Sequence, residues 1–200
     1  MEACALDGRE EINIRLCQRG QREAFEPLVR QYGPWAFRFA LGMVRDEDTA
    51  KDLSQEAFIR AYRAIKTFNP DLPFYPWFHQ ILRRICLDHL RRKRPTVAVE
   101  ELDNILSDTD GRDMARARET AECQERVRIA MNCLPAKDRE ILVLREFQEM
   151  SYVEIASLLD VPRGTVMSRL YYARRRLRDE YNRLIGREET HHPSAESEEE

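Results

Sequence analysis

The sequence predicts an all-α protein, in which two small helical domains are joined by a flexible acidic linker. Apolar residues recur at i, i+3 and i+4 over long stretches, and alternating strand-type runs are almost missing. Only 7 Gly interrupt the chain. The helical periodicity lapses between Pro95 and about Ala115, where Glu100, Glu101, Asp103, Asp108, Asp110 and Asp113 gather around Gly111. With 200 residues, 42% hydrophobic and 34% charged, the chain can build one or two cores, and a long disordered polymer is excluded.

Residues 1–21 read as an N-terminal segment and residues 22–94 as the first domain. Phe25, Leu28, Val29 and Tyr32 form one helical stripe. Gly33-Pro34 interrupts it, predicting a kink or a fresh start before Ala36, Phe37, Ala40, Leu41 and Val44. Asp46 to Asp48 start the next helix, whose buried face runs through Ala50, Leu53, Ala57, Phe58, Ala61 and Ile65. Asn69-Pro-Asp-Leu-Pro forces a loop. A third helix is expected from about Pro76 to Arg94, ending before Pro95.

The linker is placed at 95–115 and a second domain at 116–187. Val127, Ile129, Ala130 and Leu134 restore the pattern, Pro135 breaks it, and Ile141, Leu142 and Leu144 carry it on. Ser151 followed by Glu154 is a capping box, and Pro162 sits where another helix can begin, so two short helices meet at a tight corner. Val166, Leu170, Ala173 and Leu177 then face the core. Thr165, Ser168, Arg169, Tyr172 and Arg176 are left for the outside. Hydroxyl and guanidinium groups beyond such a corner suit the DNA major groove, where Arg grips guanine in bidentate fashion. Residues 188–200 have the composition of a disordered acidic tail.

A formal net charge of -3 looks wrong for a nucleic-acid binder, but the charge is sorted. Arg83, Arg84, Arg91, Arg92, Lys93 and Arg94 form one basic cluster, and Arg163, Arg169, Arg174, Arg175, Arg176 and Arg178 form another. Asp52, Gln55 and Glu56 make an acidic patch that either faces water or meets a basic protein surface. Trp77, Gln80, Arg84, Asp88 and Arg91 line one side of the third helix, where Trp77 is either core or a platform for unpaired bases. His79 and His89 lack metal-ligand spacing, and the five cysteines contain no Cys-x-x-Cys pair. No metal, cofactor or catalytic residue is expected. Cys86, Cys123 and Cys133 are expected to fill space as small apolar groups. No signal peptide or membrane-spanning run is visible, predicting a cytoplasmic protein without membrane insertion.

Asp52-Leu-Ser-Gln-Glu-Ala-Phe58, Pro73-Phe-Tyr-Pro-Trp-Phe78 and Asp88-His-Leu-Arg-Arg-Lys-Arg94 resemble the sigma-70 family, as do Tyr152-Val-Glu-Ile-Ala156 and Val161-Pro-Arg-Gly-Thr-Val166 further on. The small two-domain type, the extracytoplasmic-function sigma factors, matches best, over nearly everything from Arg22 to Arg178. The resemblance implies a sigma region 2 helical bundle and a sigma region 4 helix-turn-helix. Asp52, Gln55 and Glu56 would then bind core RNA polymerase. Asn69, Trp77, Gln80, Arg83, Arg84, Asp88, Arg91 and Arg92 would recognise and melt the −10 element, with a base held by the loop from Lys66 to Pro73. Arg163, Thr165, Ser168, Arg169, Tyr172 and Arg176 would read the −35 element. An anti-sigma partner is implied by the family as well. Three departures stand out: Arg84 replaces a frequent Asn, Asp160 a frequent turn Gly, and Met167 a frequent Lys. The expected function is an alternative sigma factor without enzymatic activity; the rival is a stand-alone helix-turn-helix regulator.

Overall fold

The computed structural model describes residues 8–92 and 111–189. Residues 95–110 of the expected linker, Lys93, Arg94, Cys4 and the tail from 190 onward lie outside the described residues. The helices are α1 (Gly8–Gln18), α2 (Glu26–Val44), α3 (Glu47–Ala64), α4 (Phe74–Arg92), α5 (Gly111–Cys133), α6 (Ala136–Leu142), α7 (Tyr152–Leu159) and α8 (Arg163–Glu189). Tight 3₁₀ turns occupy Arg22–Phe25 and Ile65–Thr67, and a π-helical turn spans Val143–Phe147. Among the described residues there is no strand.

The first domain packs α2, α3 and α4 around Phe39, Phe74, Phe78 and Leu82, all fully buried. Pro34 does not break α2. Tyr32, Trp35, Ala36 and Phe39 are buried on both sides of it, so packing holds the helix through the lost backbone hydrogen bond. Arg45 closes α2 in the left-handed region at φ 62°. The Asp46 carboxylate then accepts the Thr49 N–H at 2.7 Å and starts α3. Ala50, Ser54, Ala57 and Ala61 form its buried face, so α3 lies close to its neighbours. Helix α4 begins at Phe74, earlier than the expected Pro76.

The second domain packs α5 to α8 around Met131, Ile141, Leu144, Ile155, Val166 and Leu170. Helix α5 already starts at Gly111, inside the stretch read as linker, because charged and Ala residues there favour a helix without an apolar stripe. Cys86 is buried as expected. Cys123 and Cys133 are exposed, which corrects the sequence reading. Ala130, Met131 and Leu134 supply the buried face at the end of α5, and those two cysteines fall off it.

The two domains meet in a seam that periodicity did not announce. Val143 presses against Gly42 of α2 so closely that a Cβ there would lie 2.7 Å from Val143 Cγ2. From α6, the buried Arg139 guanidinium donates to Met43 O at 2.7 Å, in the last turn of α2. Carbonyls at a helix C-terminus lack internal partners and attract cations, so Arg139 caps α2 from the other domain. Gln148 donates to Trp35 O at 3.4 Å, Tyr75 donates to the Met150 sulfur at 3.4 Å, and Arg45 lies 5.1 Å from the Phe147 ring centroid.

Candidate nucleic-acid interface

In the second domain the corner between α7 and α8 is built from local chemistry. Ser151 Oγ accepts the Glu154 N–H at 3.2 Å while the Glu154 carboxylate accepts the Ser151 N–H at 2.7 Å. These Ser151 hydrogen bonds hold the Glu154 carboxyl below its usual range. Asp160 takes the left-handed turn position at φ 51°, which Asp tolerates better than most residues. Val166, Leu170 and Ala173 are fully buried, as their spacing predicts. Arg163, Ser168, Arg169, Tyr172 and Arg176 are therefore exposed and Thr165 half-buried. Ser168 Oγ donates to Thr165 O at 3.1 Å, and Arg176 is ion-paired with Asp138 of α6. Arg163 and Arg169 at the corner have no acidic partner among the described residues.

On α4 the sequence-predicted residues divide. Arg84, Arg91 and Arg92 are exposed, and Arg91 pairs with Asp88 at 2.7 Å. Trp77 is half-buried, its ring centroid 4.6 Å from Phe68 and 5.4 Å from Phe74, so it is part of the packing that seats the loop. Asn69 is exposed in that loop and accepts the Asp71 N–H at 3.1 Å. Gln80 and Arg83 point to the second domain: the Gln80 amide reaches Leu158 O at 3.5 Å, and Arg83 makes a two-pronged ion pair with Glu140. Glu140 is only 3% exposed. On α3, Asp52 and Gln55 are exposed, whereas Glu56 pairs with Arg60 at 2.7 Å. His79 is buried among Trp35, Phe39 and Tyr75 and takes no part in any of these surfaces.

Residues 28–96 match Sigma-70 region 2, and residues 124–177 match Sigma-70, region 4. The chain is 36% identical over 171 residues to the RNA polymerase sigma-H factor of Pseudomonas aeruginosa, covering 80% of this chain and 88% of that one. It is 31% identical over 186 residues to the ECF RNA polymerase sigma-E factor of Escherichia coli, covering 89% and 97%. The chain belongs to the extracytoplasmic-function branch of the sigma-70 family. It is an alternative sigma factor, a protein that joins core RNA polymerase and directs transcription initiation at promoters.

The fold of this sigma factor is shared with solved structures. CnrH in complex with the cytosolic domain of CnrY superposes with a TM-score of 0.59 at 24% identity, covering 86% of this chain and 96% of that one. RpoE in complex with the anti-sigma factor NepR from Bartonella quintana gives 0.56 at 22%, covering 79% and 96%. Among the described residues no helix of the sigma factor is long and apolar enough to cross a membrane. Sequence reading missed Glu140, Arg139 and Gln148, whose partners lie far away in the chain. The one available signal was a charged or amide residue standing beside the apolar run Ile141 to Leu144.

Proposed function

We propose that this sigma factor divides its work among three surfaces. Asp52, Gln55 and Glu56 on α3 bind core polymerase. Asn69, Trp77, Gln80, Arg83, Arg84, Asp88, Arg91 and Arg92 handle the −10 element as it opens. Arg163, Thr165, Ser168, Arg169, Tyr172 and Arg176 read the −35 duplex. The observation that carries this is the sorting of exposed charge, acidic on α3 and cationic on α4 and at the corner of α8. Cationic faces gain affinity from phosphate by releasing counterions, and an acidic face repels DNA and suits a basic protein surface. The chain does no chemistry of its own; polymerase supplies the catalysis, in the cytoplasm. An anti-sigma partner restrains it, a reading supported by the partner-bound state of the two solved neighbours.

The closed seam adds a condition. Gln80 and Arg83 cannot hold Leu158 O and Glu140 and also hold DNA, so the two domains part when polymerase is engaged. Changing both Asp52 and Glu56 to Lys tests the scheme. Loss of holoenzyme assembly with unchanged helical content is expected in gel filtration and circular dichroism, and retained assembly refutes the α3 assignment. Run-off transcription with a randomised promoter pool then reports both elements at once. Promoter shifts of equal strength with and without core enzyme would favour a stand-alone regulator.

A further inference from the structure

We infer that α1 is a strut that sets the conformation of the loop from Lys66 to Pro73, with Gln18 as the principal positioning residue for base preference at the −10 element. The inference rests on reading that loop as part of the −10 surface. Helix α1 lies ahead of residues 28–96, the span that matches region 2.

The strut grips the loop at its entry, its crown and its exit. At the entry, Gln18 Nε2 donates to Ile65 O at 2.9 Å and to Phe68 O at 2.7 Å, so one amide group binds the first carbonyl of the 3₁₀ turn and the carbonyl just past its end. At the crown, Arg15 pairs with Asp71 at 2.7 Å and is itself steadied by Glu11 at 2.8 Å. At the exit, Glu10 Oε1 accepts the Phe74 N–H at 3.1 Å, which is the first donor of α4. The other Glu10 oxygen accepts the Tyr32 hydroxyl. Glu10 is 3% exposed, and an anionic acceptor at the start of α4 satisfies an N–H that the helix itself cannot. Ile14 and Cys17, both buried, plant α1 on the domain.

Besides turning Ile14 and Cys17 inward, α1 sends Glu10 and Gln18 to backbone groups of the loop and its flanks. Apart from α1, the loop is held by Phe68 packed on Phe74 and Trp77 and by short-range bonds such as Leu72 N–H to Asn69 O at 3.1 Å and Phe68 N–H to Ile65 O at 3.2 Å. Its outer residues Asn69, Asp71 and Leu72 are exposed. Discriminating one base from another depends on where these groups stand, and α1 decides where they stand.

The test uses the full chain assembled with core polymerase, binding fork-junction promoter DNA in which each −10 base is varied in turn. Gln18→Ala is expected to flatten discrimination about fivefold, the worth of a hydrogen bond. The flattening falls at the same base that Asn69→Ala affects, while core affinity and −35 preference stay as in the native chain. Arg15→Ala, an exposed change that spares the fold, is expected to move the same base in the same direction by less. If Asn69→Ala alters the profile and neither α1 variant does, the strut is refuted alone. If Asn69→Ala also leaves every −10 base unchanged, the loop does not read DNA, and both the reading and the strut fall.

Discussion

His79 sits with its ring 5.0 Å from Phe39 and 5.7 Å from Trp35, and neither ring nitrogen has a hydrogen-bond partner. Burial, with the charge of Arg83 added, pulls its pKa from 6.5 down to about 3. The unfolded chain therefore binds a proton below pH 6.5 that the folded chain refuses. Stability is fully present above that pH and drains away as pH falls towards 3. Between pH 6.5 and 5 this single group is expected to cost about 1.5 kcal/mol. His79→Leu is predicted to remove that much of the slope in urea unfolding, and an unchanged slope would show that His79 has a proton acceptor nearby. At the corner of α8, Arg169 carries the sharper functional expectation. Arg169→Ala should lose about 1 to 3 kcal/mol of discrimination at one −35 base pair if its guanidinium grips a base edge. Equal weakening on all sequences in anisotropy titrations would make it a phosphate contact.

At the scale of elements, Gly42 is the position where α2 meets the π-helical turn of Val143–Phe147. Gly inside a helix is worse than Ala by about 0.5 to 1 kcal/mol, so its presence in α2 is explained by Val143 and not by propensity. Gly42→Ala is predicted to force the domains apart and raise the radius of gyration in small-angle scattering. Adding Val143→Ala should restore the native value; if the double variant stays expanded, the close approach is not what α2 requires. Much of this level was legible in advance. Ser151 with Glu154, a helix start at Asp46 to Asp48 and Asp160 in its turn are local devices spanning three or four residues, and the structure has each where the sequence indicated. Helix α1 was not legible, because its anchors are polar and only Ile14 and Cys17 point inward. The exposed site residues on α8 followed from the spacing of Val166, Leu170 and Ala173. The engagement of Gln80 and Arg83 did not, since partners 78 and 57 residues away leave no period in a sequence.

Over the whole molecule, the buried seam is unusually polar for a permanent core. Arg139 Nε and Gln148 Oε1 are buried there without partners, and unpaired groups of this kind cost about 1 to 3 kcal/mol each. A surface that is wetted in another state tolerates them, which fits two domains that separate to work. Glu140→Lys places a cation against Arg83 and is predicted to open the free chain, since breaking a buried ion pair costs about 3 to 5 kcal/mol. Fluorescence transfer between dyes on α3 and α8 should fall, and binding of a −10 single strand without polymerase should rise. Unchanged transfer would mean that Arg139 and Val143 hold the seam by themselves. Arg139 also fixes an order of events at the ribosome. It reaches Met43 O across 96 residues of chain. From Arg92, the end of α4, to Arg139 is 47 residues, so at synthesis rates of about 5–20 residues per second the nascent first domain waits about 2–9 s with its α4 face bare. During translation, then, polymerase meets a half-made protein that has not yet acquired its own cover.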